Sequence, residues 1–250
     1  MNSTIKNSLV TIGSIVFLIL VWKLLSLAIG AEIILPAPET TIRDMVEALH
    51  SPVFWRSITA TVYRGLAGFA LSLVAGVVLG FLAGFNPLVF WALQPFMTVI
   101  RTTPVMSFIL LALIWFRTET VPVFVAFLIA FPIIFSNVVQ GIMNVDHQLV
   151  EMAKLFQVKP RRILFELYLP SILPFLAAGT SAAMGLTWKV VIAAEILSQP
   201  PFGIGTQMQN ARIYLETARI LSWTVVIVFI SFVFESVLGA AERKLRAWGE

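Results

Sequence analysis

Three ionisable side chains, Arg101, Lys189 and Glu195, sit inside otherwise apolar runs of this 250-residue sequence. A charge at bilayer depth is costly, so such a residue either serves a site or is paired within the protein. Arg101 opens the step Arg101-Thr102-Thr103-Pro104, and Lys189 follows Trp188. With Glu195, these residues are the candidates for lining a solute pathway, and the two cations favour an anionic solute. The competing reading is structural: the cations pair with carboxylates or helix-end carbonyls, and Glu195, near the end of its run, reaches the interface. Lys189 and Glu195 lie about 240° apart around a helix that turns about 100° per residue, so each needs a partner on another element.

Bond-making chemistry has little to work with. The chain has no Cys, which removes disulfides, thiolate metal ligands and thiol nucleophiles and leaves the redox compartment open. His50 and His147 fall on opposite sides of the membrane in the topology that follows from the apolar runs, so they share no metal. No Gly-x4-Gly-Lys-Ser/Thr phosphate loop is present. Gly203-x-Gly205 lacks a third glycine, position 208 being Met. Gly179-x-Ser181-x-Ala183 misses the last glycine of a hydrolase elbow. The expectation is a chain with no catalytic residues, no metal and no cofactor of its own.

The elements that must position these residues are set by composition. Hydrophobic residues make up 59% and charged residues 12%, with a mean hydropathy of +0.93, against roughly 45–50% and about 25% in soluble domains. Lipid is the solvent such a chain needs. Apolar runs near the length of about 20 residues that a crossing takes predict six transmembrane helices, at about 8–29, 65–85, 87–116, 121–143, 171–196 and 218–240. The fold class is all-α integral membrane, one transmembrane domain over 1–250. The first run exceeds the core of a signal peptide, although Ser26-Leu27-Ala28 resembles a weak cleavage site, and Lys23 lies where its stem reaches the interface. Gly76, Gly80 and Gly84 place a small residue at every fourth position of the second helix, a pattern for close helix packing. Pro95 and Pro104 break the third run, and broken backbone at that depth needs protein or a water-filled cavity beside it.

Between the first two runs, Leu35-Pro36-Ala37-Pro38 is extended. Thr40 or Thr41 then caps a surface helix whose apolar side is Ile42, Met45, Val46 and Leu49. The segment 198–217 reads as a loop. Lys6, Lys154, Lys159, Arg161, Arg162, Arg243, Lys244 and Arg246 fall on one side. Arg43, Arg56, Arg117 and Arg212 fall on the other, with Arg219 at the boundary. That bias places both termini in the cytoplasm and accounts for the net charge of +4 without a nucleic-acid partner.

The longest polar stretch, 144–170, carries the most information. Asp146 caps a helix with Leu149, Val150, Ala153 and Phe156 on one side and Glu151 and Lys154 elsewhere, and Pro160 opens a second helix. Glu151-Met152-Ala153, then three residues, Gln157, then nine residues, Leu167-Tyr168-Leu169-Pro170 resembles the EAA loop of permease subunits of binding-protein-dependent ABC importers. That pattern has Ala, Gly and Ile where this chain has Met152, Gln157 and Leu167. The family's Gly occupies a turn that favours left-handed backbone, which costs about 1–2 kcal/mol for a residue with a side chain. Leu35-Pro36-Ala37-Pro38, Arg101-Thr102-Thr103-Pro104 leading to Leu113-Ile114-Trp115-Phe116, Trp188-Lys189 with Ala194-Glu195, and Phe202-Gly203-Ile204-Gly205 extend the resemblance to the nitrate, sulfonate and taurine branch. Members of that branch also serve bicarbonate and pyrimidine vitamin precursors.

The resemblance implies a type I ABC importer permease fold in the inner membrane of a prokaryote. It implies two permease copies, with a homodimer as the default. A pair of ATPase subunits would hold ATP and Mg, and an extracytoplasmic solute-binding protein would deliver the cargo. Glu151, Ala153, Lys154, Gln157 and Pro170 would belong to the ATPase-coupling loop. A secondary transporter without an ATPase is the alternative, compatible with broken helices and intramembrane charge but giving the 144–170 loop no task. An intramembrane enzyme is weakened by the missing catalytic set.

Overall fold

Helix starts follow the prolines. In the computed structural model, which describes residues 3–246 and the side chains of 10–240, Pro38, Pro52, Pro87, Pro122, Pro160 and Pro170 each occupy the first or second position of a helix. Proline's fixed φ and missing N–H suit that place. The elements are α1 (Ser3–Ile29), α2 (Pro38–Ala48), α3 (Pro52–Phe85), α4 (Pro87–Thr102), α5 (Val105–Trp115), α6 (Val121–Met143), α7 (His147–Leu155) and α8 (Pro160–Ile163). A single π-helical turn (Leu164–Tyr168) leads into α9 (Leu169–Ser198), followed by α10 (Ile204–Ile213) and α11 (Thr217–Arg246).

Several boundaries differ from those expected of the sequence. The Ser51 hydroxyl accepts from Val53 N and starts α3 at Pro52 rather than near residue 65. Helix α4 runs through Pro95 unbroken. The break falls at Thr103-Pro104, where both residues are extended and the axis turns by 101°. A residue before proline avoids the helical region, and here that preference decides the bend. Ala37, not Thr40 or Thr41, is the N-cap of α2, because Pro38 already sets the first helical φ. Thr41 is buried and its hydroxyl donates back to Ala37 O. The buried side of α2 is Thr41, Met45 and Ala48, while Ile42, Val46 and Leu49 are exposed. The segment 198–217 contains a helix, α10, instead of being loop throughout.

Small residues decide the core. A Cβ on Gly76 would stand 2.8 Å from Ile134, one on Gly80 2.8 Å from Val138, and one on Gly84 2.4 Å from Ile142. Gly68 meets Ala126 in the same way, and between them Ser72 donates to Phe127 O across the seam. Numbers rise together on both sides, so α3 and α6 run parallel with their backbones in near contact. Two parallel helices require a return between them, so the bent pair α4 and α5 carries the chain back across as one crossing. Helix α9 is antiparallel to α6, with Gly141 against Ile172 and Gly179 against Asn137. Helix α11 in turn opposes α9, with Trp188 on Phe234 and Ile192 near Trp223 and Val226.

Six crossings result, with α7 and α8 at one end of the bundle and α2 and α10 at the other. Helix α1 buries none of its apolar stretch against the rest of the described structure. It is held at its last turns, where Trp22 Nε1 donates to Pro36 O, Ser26 Oγ to Leu35 O, and Lys23 pairs with Glu39. Lys6, Arg243, Lys244 and Arg246, which carry much of the expected charge bias, lie outside the described side chains.

Candidate functional site

The loop between α6 and α9 builds a small core of its own. Asp146 Oδ1 accepts from Gln148 N and caps α7. Val145, Val150 and Ile163 are buried together, with Ala153, Val158, Leu167 and Tyr168 packed against them. The end of α7 is a Schellman turn: Gln157 N donates to Lys154 O and Val158 N to Ala153 O, each at 2.9 Å. Its left-handed residue is Gln157, at φ 54°, so glutamine adopts the conformation for which glycine is preferred.

This inner core splits the side expected to be apolar. Val150 and Ala153 point into the loop, whereas Leu149 and Phe156 face outward with Met152 and Leu155, the last two positions of the turn being 83% (Leu155) and 79% (Phe156) exposed. Leu149, Met152, Ala153, Phe156, Val158 and Arg162 line a groove of about 330 Å³. Glu151 and Lys154 are exposed on α7, Gln157 is exposed in the turn that follows it, and Pro170 is exposed at the start of α9. Four large apolar side chains, Leu149, Met152, Leu155 and Phe156, thus face outward on a loop that packs on its own small core.

Arg101 lies at the bend, its guanidinium donating to Pro132 O of α6 at 2.9 Å. Thr102 and Thr103 donate back to the preceding turn, to Thr98 O and Val99 O, and Pro104 starts α5. Trp188 is buried, its ring edge within 2.6 Å of where a Cβ on Gly65 would stand. Lys189 is exposed beside the buried Trp188.

Glu195 does not reach an interface; it is fully buried. Arg64 Nη1 donates to Glu195 Oε1 at 2.7 Å and to Phe202 O at 2.7 Å. The Thr61 hydroxyl donates to the same carboxylate and accepts from Ile204 N. Gly205 N, in the first turn of α10, donates to Glu195 Oε2 at 3.0 Å. A Cβ on Gly203 would fall 2.7 Å from the carboxylate, and one on Gly205 2.5 Å from Ile192 O. The Gly203-x-Gly205 pair is therefore a fitting of backbone against Glu195, and the network clamps α3, α9 and the start of α10 together.

The region from the second half of α3 to the end of α11, residues 76–247, matches the model of a family described as binding-protein-dependent transport system inner membrane component. The chain belongs to that family. It is a membrane transport permease, and the family is one of transport proteins rather than enzymes. The permease is 30% identical over 92% of its length to a probable ABC transporter permease of Brucella abortus (strain 2308), covering 91% of that protein. It is 24% identical to the taurine transport system permease of Escherichia coli (strain K12), over 95% of this chain and 89% of the other. To a putative aliphatic sulfonates transport permease of Bacillus subtilis (strain 168) it is 26% identical, over 92% and 84%. Among solved structures it resembles the inward-facing MetNI methionine ABC transporter, with a TM-score of 0.59 at 16% identity over 76% of this chain and 93% of that one. The all-helical ABC importer permease fold expected of the sequence is thus the fold found.

Two charged residues of the permease were not among those singled out in the sequence. Arg64 stands at the edge of the second apolar run, where it reads as a boundary residue, yet a lone intramembrane Glu195 demands a cation and Arg64 is the one that meets it. Glu235 of α11 lies within the last span, Thr217–Ala240, and shares a groove with Lys189.

Proposed function

We propose that this chain is the permease subunit of an ATP-driven importer of a small solute, coupled to a separate ATPase through the α7 to α8 loop. The outward Leu149, Met152, Leu155 and Phe156 on a self-packed knob carry the reading. An apolar surface of that size outside the spans fits a partner groove, and the Schellman turn holds α7 stiff enough to transmit a push. Glu151 pairs with a basic residue of the ATPase, with Lys154, Gln157 and Pro170 bordering the contact. ATP and Mg are held by the ATPase pair, which biases the permease by contacting α7 differently in its two states. Two copies of the chain flank the pathway, both termini lie in the cytoplasm, and an external binding protein delivers the cargo at the α2 and α10 end.

The relatives named for taurine and aliphatic sulfonates support a small sulfonated cargo. Arg101, Thr102, Thr103 and Pro104 at the bend and Trp188, Lys189 and Glu195 along α9 are the residues proposed to shape its route, Glu195 through the clamp on α10 rather than by contact. Substituting Glu151→Arg tests the coupling: the ATPase subunit should no longer co-purify and uptake should fall to background at unchanged expression. Retained co-purification and uptake would remove the loop from the mechanism.

A further inference from the structure

Between α9 and α11 lies a groove of about 480 Å³ whose lining includes Gly185, Trp188, Lys189, Ile192, Phe232 and Glu235, a size typical of small-molecule sites. Lys189 and Glu235 are both exposed in it, and among the described residues neither makes an ion pair or hydrogen bond. Lys189 is nine residues inside the end of α9, about 14 Å at 1.5 Å per residue. Glu235 sits beside Gly185, one helical turn from Lys189: a Cβ on Gly185 would stand 3.0 Å from Glu235 Oε1, so the carboxylate lies over α9 backbone where a larger residue would press on it. The backbone positions that carry Lys189 and face Glu235 are thus one helical turn apart, about 6 Å along the α9 axis.

Two unpaired charges of opposite sign on one open face do not look out on lipid. That face borders water or protein. A lone anion in the groove would meet Lys189 and be repelled by Glu235, a lone cation would do the reverse, and an uncharged molecule would leave both groups uncompensated. We propose that the groove binds a small zwitterion, its anionic group at the Lys189 ammonium and its cationic group at the Glu235 carboxylate, with Trp188 and Phe232 against its short carbon linker. An ω-amino acid or aminosulfonate with its charges a few ångströms apart has the required form. The proposal rests on the importer reading and sharpens it by naming the charge pattern of the cargo.

The absence of native Cys makes a direct test available, because Ser231→Cys places one thiol in the lining. In membrane vesicles holding the complete transporter, a charged, water-soluble methanethiosulfonate should label that thiol. Taurine and β-alanine should slow labelling several-fold, while ethanesulfonate, propionate and ethylammonium should not. Protection should vanish with Lys189→Met or Glu235→Gln and persist with Lys189→Arg or Glu235→Asp. No labelling, equal protection by anions and zwitterions, or protection that survives the neutral substitutions would overturn the proposal. A groove in which Lys189 and Glu235 simply close on each other gives labelling that no probe changes, which also overturns it. Co-purification of the ATPase from the same vesicles tests the importer reading separately, so each can fail without the other.

Discussion

At Glu195 a fully buried carboxylate is met by one guanidinium, one hydroxyl and one backbone N–H. Removing one member of a buried ion pair leaves the other uncompensated, which costs about 3–5 kcal/mol. Arg64→Met or Glu195→Leu alone should therefore lower the melting temperature of the purified permease sharply. The double variant should recover part of the loss, since well-packed apolar replacements of buried pairs are often tolerated. A double variant no better than the worse single would show that the two side chains do not act as a pair. Glu39 behaves differently because it is exposed. Its carboxyl is held below the usual carboxylate range, first by the hydrogen bond from Lys23 and then by its own backbone N–H. Because the folded value is the depressed one, this support for the α1 to α2 junction is present above the ordinary carboxylate value of 4.5 and is lost as pH falls below it. Hydrogen exchange across residues 30–40 should accelerate in that acid window more than exchange in α6, and Glu39→Gln should remove the difference.

The seam between α3 and α6 places the demand on whole elements. At Gly80 an added Cβ would lie 2.8 Å from Val138, so Gly80→Val should push the helices apart and destabilise the permease by about 1–3 kcal/mol or more. Gly239 of α11 has nothing within 4 Å of its Cβ position. There Gly239→Ala should be neutral or should stabilise by up to about 1 kcal/mol through helix propensity, and thermal melting of both variants separates the cases. The glycine spacing in α3 was readable in the sequence, since a repeat of four needs no knowledge of the partner. That the partner is α6, and runs parallel, was not readable, because it depends on the bend at Thr103-Pro104 completing the crossing. The helix starts at Pro87 and Pro160 were legible for the same local reason, whereas those at Pro38 and Pro52 were not picked out. The division of α7 into an inward and an outward apolar side was not: Val150 and Leu149 are equally apolar, and only the path of the π-helical turn and α8 decides which one is covered.

For the whole molecule, the parallel seam and the antiparallel α9 and α11 put the α7 to α8 loop and the α2 to α10 face at opposite ends. Single thiols at Lys159→Cys and Gln199→Cys, both at exposed positions, should react with an impermeant reagent from opposite sides of a sealed vesicle. Reaction from the same side would refute the six-crossing topology. The number of spans could be counted from composition, and the charge bias gave an orientation to test. The site was less legible, because its decisive pairing, Arg64 with Glu195, and the presence of Lys189 and Glu235 in one groove bring together residues far apart in the chain, and single-run reasoning treats each charge by itself.

The row Gly68, Ser72, Gly76, Gly80 and Gly84 also bears on how this gene can vary. Every single-base change that puts another residue in place of a glycine adds at least a Cβ, and at Gly68, Gly76, Gly80 and Gly84 that Cβ would stand closer to a neighbour than packed atoms tolerate. Exposed Leu and Val positions on the same helix, such as Leu71, Val74 and Val78, can exchange with other apolar residues at little cost. One face of α3 is therefore expected to stay nearly fixed in a mutational scan while the opposite face drifts, so that the sequence tolerance of a single helix would trace out which side meets α6.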